Sequence, residues 1–288
     1  YTTLFRSAGL IGGSIARAAR ATGAAGHITI IEDDADKAAL AAELGLGDVC
    51  GTDLALLGTC DLVILATSVT AFADLAQNLP LKPGAIVSDV ASVKGAVMDA
   101  LGDLKDVHVI PGHPIAGTEF SGLRAGFAEL FKGKWNILTP LPDTDPTALE
   151  TLTKFWEALG AHVGLMNVEA HDAAFATTSH LPHAVAFSLM QLAEEQADKD
   201  GHEILQFAAN SFGDYTRVAA SDPALWRDIF LTNRAALLKS LSGFKDKLIQ
   251  IETLLQSEDG AELEAFIARS RAARQALNAF KEKGVKGF

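Results

Sequence analysis

Ser7-Ala8-Gly9-Leu10-Ile11-Gly12-Gly13-Ser14 leads into an alanine-rich run that ends at Gly23, and Ile28-Thr29-Ile30-Ile31-Glu32 follows. The first eight residues match the dinucleotide fingerprint G-x-G-x-x-G, with Ser7 at the first glycine. Gly9 lets backbone approach a pyrophosphate, and Gly12 lets the next helix pack on its strand. Gly9, Leu10, Ile11 and Gly12 are thus candidate cofactor contacts. Residues 14–22 read as a helix with Ile15, Ala18 and Ala19 on one face, and Gly23 is a suitable stop.

Ile28 to Ile31 reads as a β-branched strand, with Glu32 at its end, 20 residues after Gly12. An acidic side chain here either accepts the ribose hydroxyls of the cofactor or is a solvated turn residue. Asp33 and Asp34 follow, with no arginine nearby, so a 2′-phosphate would meet three carboxylates and NAD is expected rather than NADP. One feature conflicts with the motif. Only Thr2 to Arg6 precedes the glycines, a short segment ending in a charge, where a buried central strand is needed. The expectation is that about five apolar residues and a glycine belong between Arg6 and Gly9.

The alternation continues outward. Leu62 to Ala66 is an apolar strand with Thr67 and Ser68 at a polar edge suited to face the cofactor. Helix 70–79, strand 85–90, helix 93–101 and strand 108–110 follow, then strand 135–139, helix 147–159 and strand 162–166. Strands alternating with helices mean parallel βαβ units, hence a doubly wound sheet in the α/β class. After Asn167 the strands stop. Helices are expected over 168–198, with Pro182 as a kink, and over 202–219, 222–256 and 259–283. The expected domains are residues 1–167, for dinucleotide binding, and 168–288, all helical. Long helices in a small domain leave apolar surface for a partner, so a homodimer through the helical part is expected.

The 288 residues are 49% apolar and 21% charged, the composition of a globular protein. A net charge of −12 argues against nucleic acid and anionic membranes as partners. No stretch approaches the ~20 apolar residues of a membrane span, and the first residues lack the features of a signal peptide. Cys50 and Cys60 are too few for a disulfide scaffold, which points to a reducing, cytoplasmic setting.

Two further stretches carry chemistry. Val109-Ile110-Pro111-Gly112-His113-Pro114 runs from a strand end into a punctuated loop, with Glu119 six residues after the histidine. His113 either meets a ligand at the carboxyl edge of the sheet or is a buried loop histidine satisfied by backbone. In the helical half, His180-Leu181-Pro182-His183, Asp214-Tyr215-Thr216-Arg217 and Trp226-Arg227-Asp228 stand out. His180 and His183 have the i, i+3 spacing of a metal pair, but no further ligands at suitable spacing accompany them, so no metal is expected. Arg217 forms a surface ion pair with Asp214 or supplies the planar fork that grips a carboxylate.

These motifs, with Asp89-Val90-Ala91-Ser92-Val93-Lys94 and in this order along the chain, resemble the prephenate and arogenate dehydrogenases. The resemblance implies a Rossmann domain followed by a helical dimerisation domain, NAD as cofactor, and oxidative decarboxylation of a cyclohexadienol in tyrosine biosynthesis. It implies that His113 accepts the hydroxyl proton and that Ser92 fixes that hydroxyl. Arg217 grips a substrate carboxylate, His183, Asp214 and Trp226 shape the pocket, and Glu119 lies near its mouth. No chorismate mutase segment or regulatory domain is expected. The rivals are a β-hydroxyacid dehydrogenase, which relies on a helical-domain lysine and lacks the His113 loop, and a non-catalytic NAD sensor, which has no use for a proton acceptor. An acidic residue at 119 is compatible with arogenate as substrate, alone or beside prephenate.

Overall fold

The computed structural model describes residues 2–6, 9–118, 120–200 and 204–282. They divide into two compact units, Tyr1–Arg234 and Ala235–Phe288.

The first unit is built on six parallel strands: β1 (Thr2–Arg6), β2 (His27–Ile31), β3 (Val49–Gly51), β4 (Leu62–Leu65), β5 (Ile86–Asp89) and β6 (His108–Val109). Their order is β3-β2-β1-β4-β5-β6, the doubly wound arrangement expected from the alternation. The missing-strand expectation is corrected here. Thr2–Arg6 itself is the central strand, paired with β2 from Thr2↔His27 to Arg6↔Ile31 and with β4 from Thr3↔Leu62 to Arg6↔Leu65. Five residues suffice because β2 also has five and β4 has four. The link through residues 7 and 8 lies outside the described residues.

Side chains alternate across the sheet, so each buried strand feeds two cores. Leu62 and Ile64 of β4, with Ile28, Ile30 and Ile86, pack on one face. Ile15, Ala18 and Ala19 of α1 (Leu10–Thr22) join them there. Val63 and Leu65, with Ile31 and Val87, face the other way and meet Phe72 and Leu75. α1 ends on Gly23 at φ 69°, a left-handed residue that closes the helix. α2 (Ala35–Glu43) opens on Asp34, whose carboxylate accepts from the N–H groups of Asp36 and Lys37. The expected helix 70–79 is a short turn running into α3 (Phe72–Ala76), and α4 (Lys94–Leu101) follows β5.

A second, three-stranded sheet was not legible in the alternation. It consists of β7 (Gly112–Pro114), β8 (Trp135–Leu138) and β9 (His162–Leu165), in that order. β7 runs antiparallel to β8, with His113 opposite Ile137, and β8 runs parallel to β9. His113 therefore sits on a strand and not, as expected, in a loop. Between β8 and β9, α5 (Pro146–Ala158) buries Leu152, Phe155 and Trp156 in the same core as α1.

The expected helix 168–198 is three segments. α6 (Val168–Phe175) passes through a π turn at Ala176–His180 into α7 (Leu181–Asp200). The Leu181 N–H reaches back five residues to the Ala176 carbonyl. Pro182 is the cause, since it has no N–H to offer and its ring crowds the preceding turn. α8 (Asn210–Thr216) and α9 (Pro223–Thr232) come next, and the expected helix 222–256 breaks at Asn233 before α10 (Arg234–Gln256).

The second unit holds most of α10 and α11 (Gly260–Glu282), joined at Ser257–Asp259, where Glu258 adopts φ 53°. Leu248, Ile249, Leu255 and Ile267 are all exposed on these helices. No helix among the described residues is long and apolar enough to cross a membrane.

Candidate active site

Every chemistry-bearing stretch of the first half follows the carboxyl end of a parallel strand. Gly9–Gly12 follow β1, Glu32 follows β2, Thr67 and Ser68 follow β4, Ser92 follows β5 and His113 follows β6. β1 and β4 flank the point where the strand order reverses, the place where open α/β sheets bind ligands.

The α1 N-terminus fits a dinucleotide. Gly9 caps it with no side-chain hydrogen bond, and no acidic residue stands in the first turn. A Cβ on Gly9 would meet nothing within 4 Å, so backbone faces open space there. Helical N–H groups beside such space suit an anionic pyrophosphate. Glu32 is buried at the end of β2. Of the two carboxylates after it, Asp33 pairs with Lys37 at 3.0 Å and Asp34 is committed to capping α2. Thr67 is half-buried, and exposed Ser68 donates to Asp228 Oδ2 of α9 at 3.3 Å.

His113 is 9% exposed and its Nδ1 lies 2.9 Å from His171 Nε2. His171 Nδ1 lies 2.8 Å from Asp172 Oδ1. The two Asp172 oxygens also accept from the N–H groups of Lys94 and Gly95, both at 2.8 Å, so a carboxylate on α6 caps α4. Lys94 is fully buried, 2.5 Å from both Asp89 Oδ1 and the Gly112 carbonyl. It thereby anchors the residue next to His113.

Burial pushes His113 well below its usual 6.5, and the positive charges available at Lys94, His171 and His180 push the same way. Burial likewise lowers His171, against the opposing pull of Asp172. For Asp172, burial works upward, but the bonds from His171, Lys94 and Gly95 win and hold it below the usual carboxylate range. Burial pushes Asp89 up and Lys94 down, each opposed by the other's charge.

On the helical side, His183 stacks on Trp226, and its Nδ1 meets the Ser179 carbonyl at 2.9 Å. Phe187 and Phe230 stand edge-on to Trp226. A cavity of about 800 Å³ is lined by Trp226, Phe187 and Phe230 together with Arg217, Gln191 and Arg227.

A family model for the prephenate dehydrogenase nucleotide-binding domain matches residues 15–165, and one for the prephenate dehydrogenase dimerization domain matches residues 167–269. The chain belongs to the prephenate dehydrogenase family. Cyclohexadienyl dehydrogenase of Zymomonas mobilis is 39% identical, over 93% of each chain. The crystal structure of A. aeolicus prephenate dehydrogenase in complex with hydroxyphenyl propionate and NAD+ is 34% identical, covers 96% of this chain and 98% of its own, and superposes at a TM-score of 0.88. Synechocystis arogenate dehydrogenase is 32% identical, covers 96% of this chain and all of its own, and superposes at 0.84.

Within this member of the prephenate dehydrogenase family, the expected residues form two groups. His113 sits at the carboxyl edge of the sheet, with half-buried Ser92 on the turn into α4. Arg217, His183 and Trp226 gather on the helical side, where Arg217 lies near enough to act on the His183 ring electrostatically. Asp214 is exposed on α8 and does not line the cavity with Arg217. Glu119 lies outside the described residues. His180 and His183, with the spacing of a metal pair, have separate partners: His180 Nδ1 meets Asn233 Nδ2 at 3.1 Å while His183 meets Ser179. Sequence reasoning missed His171, Asp172 and the burial of Lys94. Lys94 closes the motif that begins at Asp89, and that spacing is the one signal from which a buried pair could have been read.

Proposed function

We propose that the chain carries out NAD-dependent oxidative decarboxylation of arogenate, prephenate or both, to tyrosine and 4-hydroxyphenylpyruvate, in tyrosine biosynthesis. The chain is an NAD-dependent dehydrogenase. Beside family membership, one observation carries the reading: His113 is a buried histidine at the carboxyl edge of the sheet, held unprotonated by burial and neighbouring positive charge. A proton acceptor must have a free nitrogen, and this one has it at neutral pH.

NAD, when bound, takes up the hydride that leaves the carbinol carbon of the ring. The N–H groups of the Gly9–Gly12 turn hold its pyrophosphate, Glu32 accepts from the ribose, and Thr67 and Ser68 line its edge. His113 accepts the substrate hydroxyl proton and Ser92 orients that hydroxyl. Carbon dioxide leaves from the opposite ring carbon, and aromatisation supplies the drive, so orientation and proton removal are the tasks of the protein. Arg217 binds a substrate carboxylate, with His183 and Trp226 as the wall beside it. Glu119 favours the ammonium group of arogenate over the keto group of prephenate.

The matched ranges support a division between residues 1–167 and 168–288. The exposed apolar residues of α10 and α11 support a homodimer through the helical part. Free thiols at Cys50 and Cys60 support a cytoplasmic location. The test is to incubate the chain with NAD and each substrate in turn and to follow NADH absorbance. NADH formation with at least one supports the reading, and none with either refutes it. The ratio of kcat/KM for the two substrates in wild type and in Glu119→Gln tests the arogenate preference. An unchanged ratio removes Glu119 from it.

A further inference from the structure

Asp172, His171 and His113 form a chain of hydrogen bonds whose direction is fixed at one end. An ionised carboxylate only accepts. Asp172 is ionised, since it takes the N–H groups of Lys94 and Gly95 as well as the ring of His171. His171 Nδ1, 2.8 Å away, must therefore carry a proton and donate it. A neutral imidazole has one N–H, so His171 Nε2 is an acceptor. His113 Nδ1 lies 2.9 Å from that acceptor and must donate in its turn. The unprotonated nitrogen of His113 is then Nε2.

We propose that His171 and Asp172 are positioning residues that fix the tautomer of His113, so that Nε2 is the nitrogen that receives the substrate proton. The proposal rests on the functional reading above for the identity of that proton. No bond other than the O–H of the substrate is broken at this nitrogen; the proton moves to Nε2 and leaves His113 as an imidazolium.

Three features hold the chain in place. A Cβ on Gly95 would stand 3.0 Å from Asp172 Oδ2, so the carboxylate is packed closely against the backbone that it caps. Asn233 Nδ2 donates to the Asp172 carbonyl at 2.9 Å, which ties the C-terminal end of α9 to the same turn of α6. Both rings are flanked by Phe175, whose centroid lies 4.7 Å from His113 and 4.5 Å from His171, so ring rotation meets a wall.

The test has a spectroscopic and a kinetic arm. Long-range proton–nitrogen correlation on the full chain labelled with [15N]histidine, assigned through His113→Asn and His171→Leu, reads the protonated nitrogen of each ring. Both His113 and His171 are expected to carry their proton on Nδ1. His171→Leu removes the acceptor but leaves the Asp172 cap of α4 in place. It is expected to lower kcat by about 10- to 1000-fold, with KM for NAD and substrate changed by less than about threefold. His171→Gln, which keeps an acceptor oxygen within reach of His113, is expected to recover at least about tenfold of that loss. An Nε2–H tautomer on His113 in the wild type, or a His171→Leu kcat within about twofold of wild type, would overturn the proposal. A wild-type chain that oxidised neither substrate would refute the activity, and the spectrum would still decide the tautomer.

Discussion

The imidazole of His183 lies flat on the indole of Trp226, with ring centroids 3.4 Å apart and planes 20° from parallel. Burial holds His183 below its usual value, so the stacked pair is an uncharged wall. The positive charge of the cavity beside it comes from Arg217 and Arg227, and Arg227 is already paired with Asp228 at 2.7 Å. Arg217 is therefore the cation of this cavity that the proposed reading pairs with the substrate carboxylate.

Removing that grip should cost about 1.5–3 kcal/mol, or roughly 10- to 150-fold. Arg217→Ala is therefore expected to raise KM for the cyclohexadienyl substrate by that factor and to leave NAD affinity unchanged. Steady-state kinetics with NAD titrated separately checks it. Weakened NAD with an unaltered substrate KM would move Arg217 out of the substrate site.

Cofactor choice follows from how the three carboxylates after β2 are used. Asp33 pairs with Lys37 and Asp34 caps α2, and the proposed reading gives discrimination against a 2′-phosphate to Glu32, buried at the end of β2. The expected preference in kcat/KM for NAD over NADP is about tenfold or more, equivalent to about 1.4 kcal/mol. Equal efficiency with NADP would show that Glu32 does not meet the ribose.

His180 links acid stability to the same network. Burial lowers it from 6.5 to about 4, and it sits 1% exposed with its Nδ1 on Asn233. A depressed folded value means that the unfolded chain binds the proton more readily. The stabilisation is full above pH 6.5 and is lost as the pH falls from 6.5 toward 4. At pH 5 the loss should be about 2 kcal/mol, an order-of-magnitude figure. Urea unfolding at pH 7 and pH 5 is expected to show a smaller drop in His180→Gln than in wild type. Equal drops would exclude His180 as the source.

The parts of the fold visible in the sequence are those where a local period determines burial. Leu62–Leu65 is apolar at every position because alternate residues feed two cores, and α1 shows its small face because a strand lies beneath it. β7 was hidden because Gly112 and Pro114, both poor strand residues, flank His113. Asp89 and Lys94 buttress that backbone through Gly112, and no period records such a contact. The same holds for Asp172, a helix residue beside a histidine whose partner Lys94 lies 78 positions earlier. The histidine, serine and arginine of the proposed site stand out in the sequence through their motifs. The residues proposed to orient the histidine do not, because only the fold brings them together.

The pH profile reads the charge state of His113. Its proton affinity is depressed well below 6.5 by burial first, then by Lys94, His171 and His180. A base with a lowered value stays unprotonated further into acid, so the acid limb of kcat/KM should fall below pH 6.5. Activity is expected to be flat from neutrality down to that point. A limb centred at or above 6.5 would mean that the titrating base is not this buried ring.

The most direct measurement is kcat and NAD affinity in His113→Asn. Asparagine keeps a polar side chain on β7 but cannot take a proton. The expected result is a fall in kcat of roughly 10²–10⁴, the usual worth of a positioned general base, with NAD binding and the fold retained. A variant with near wild-type kcat would contradict the account, because the proton would then be leaving by another route.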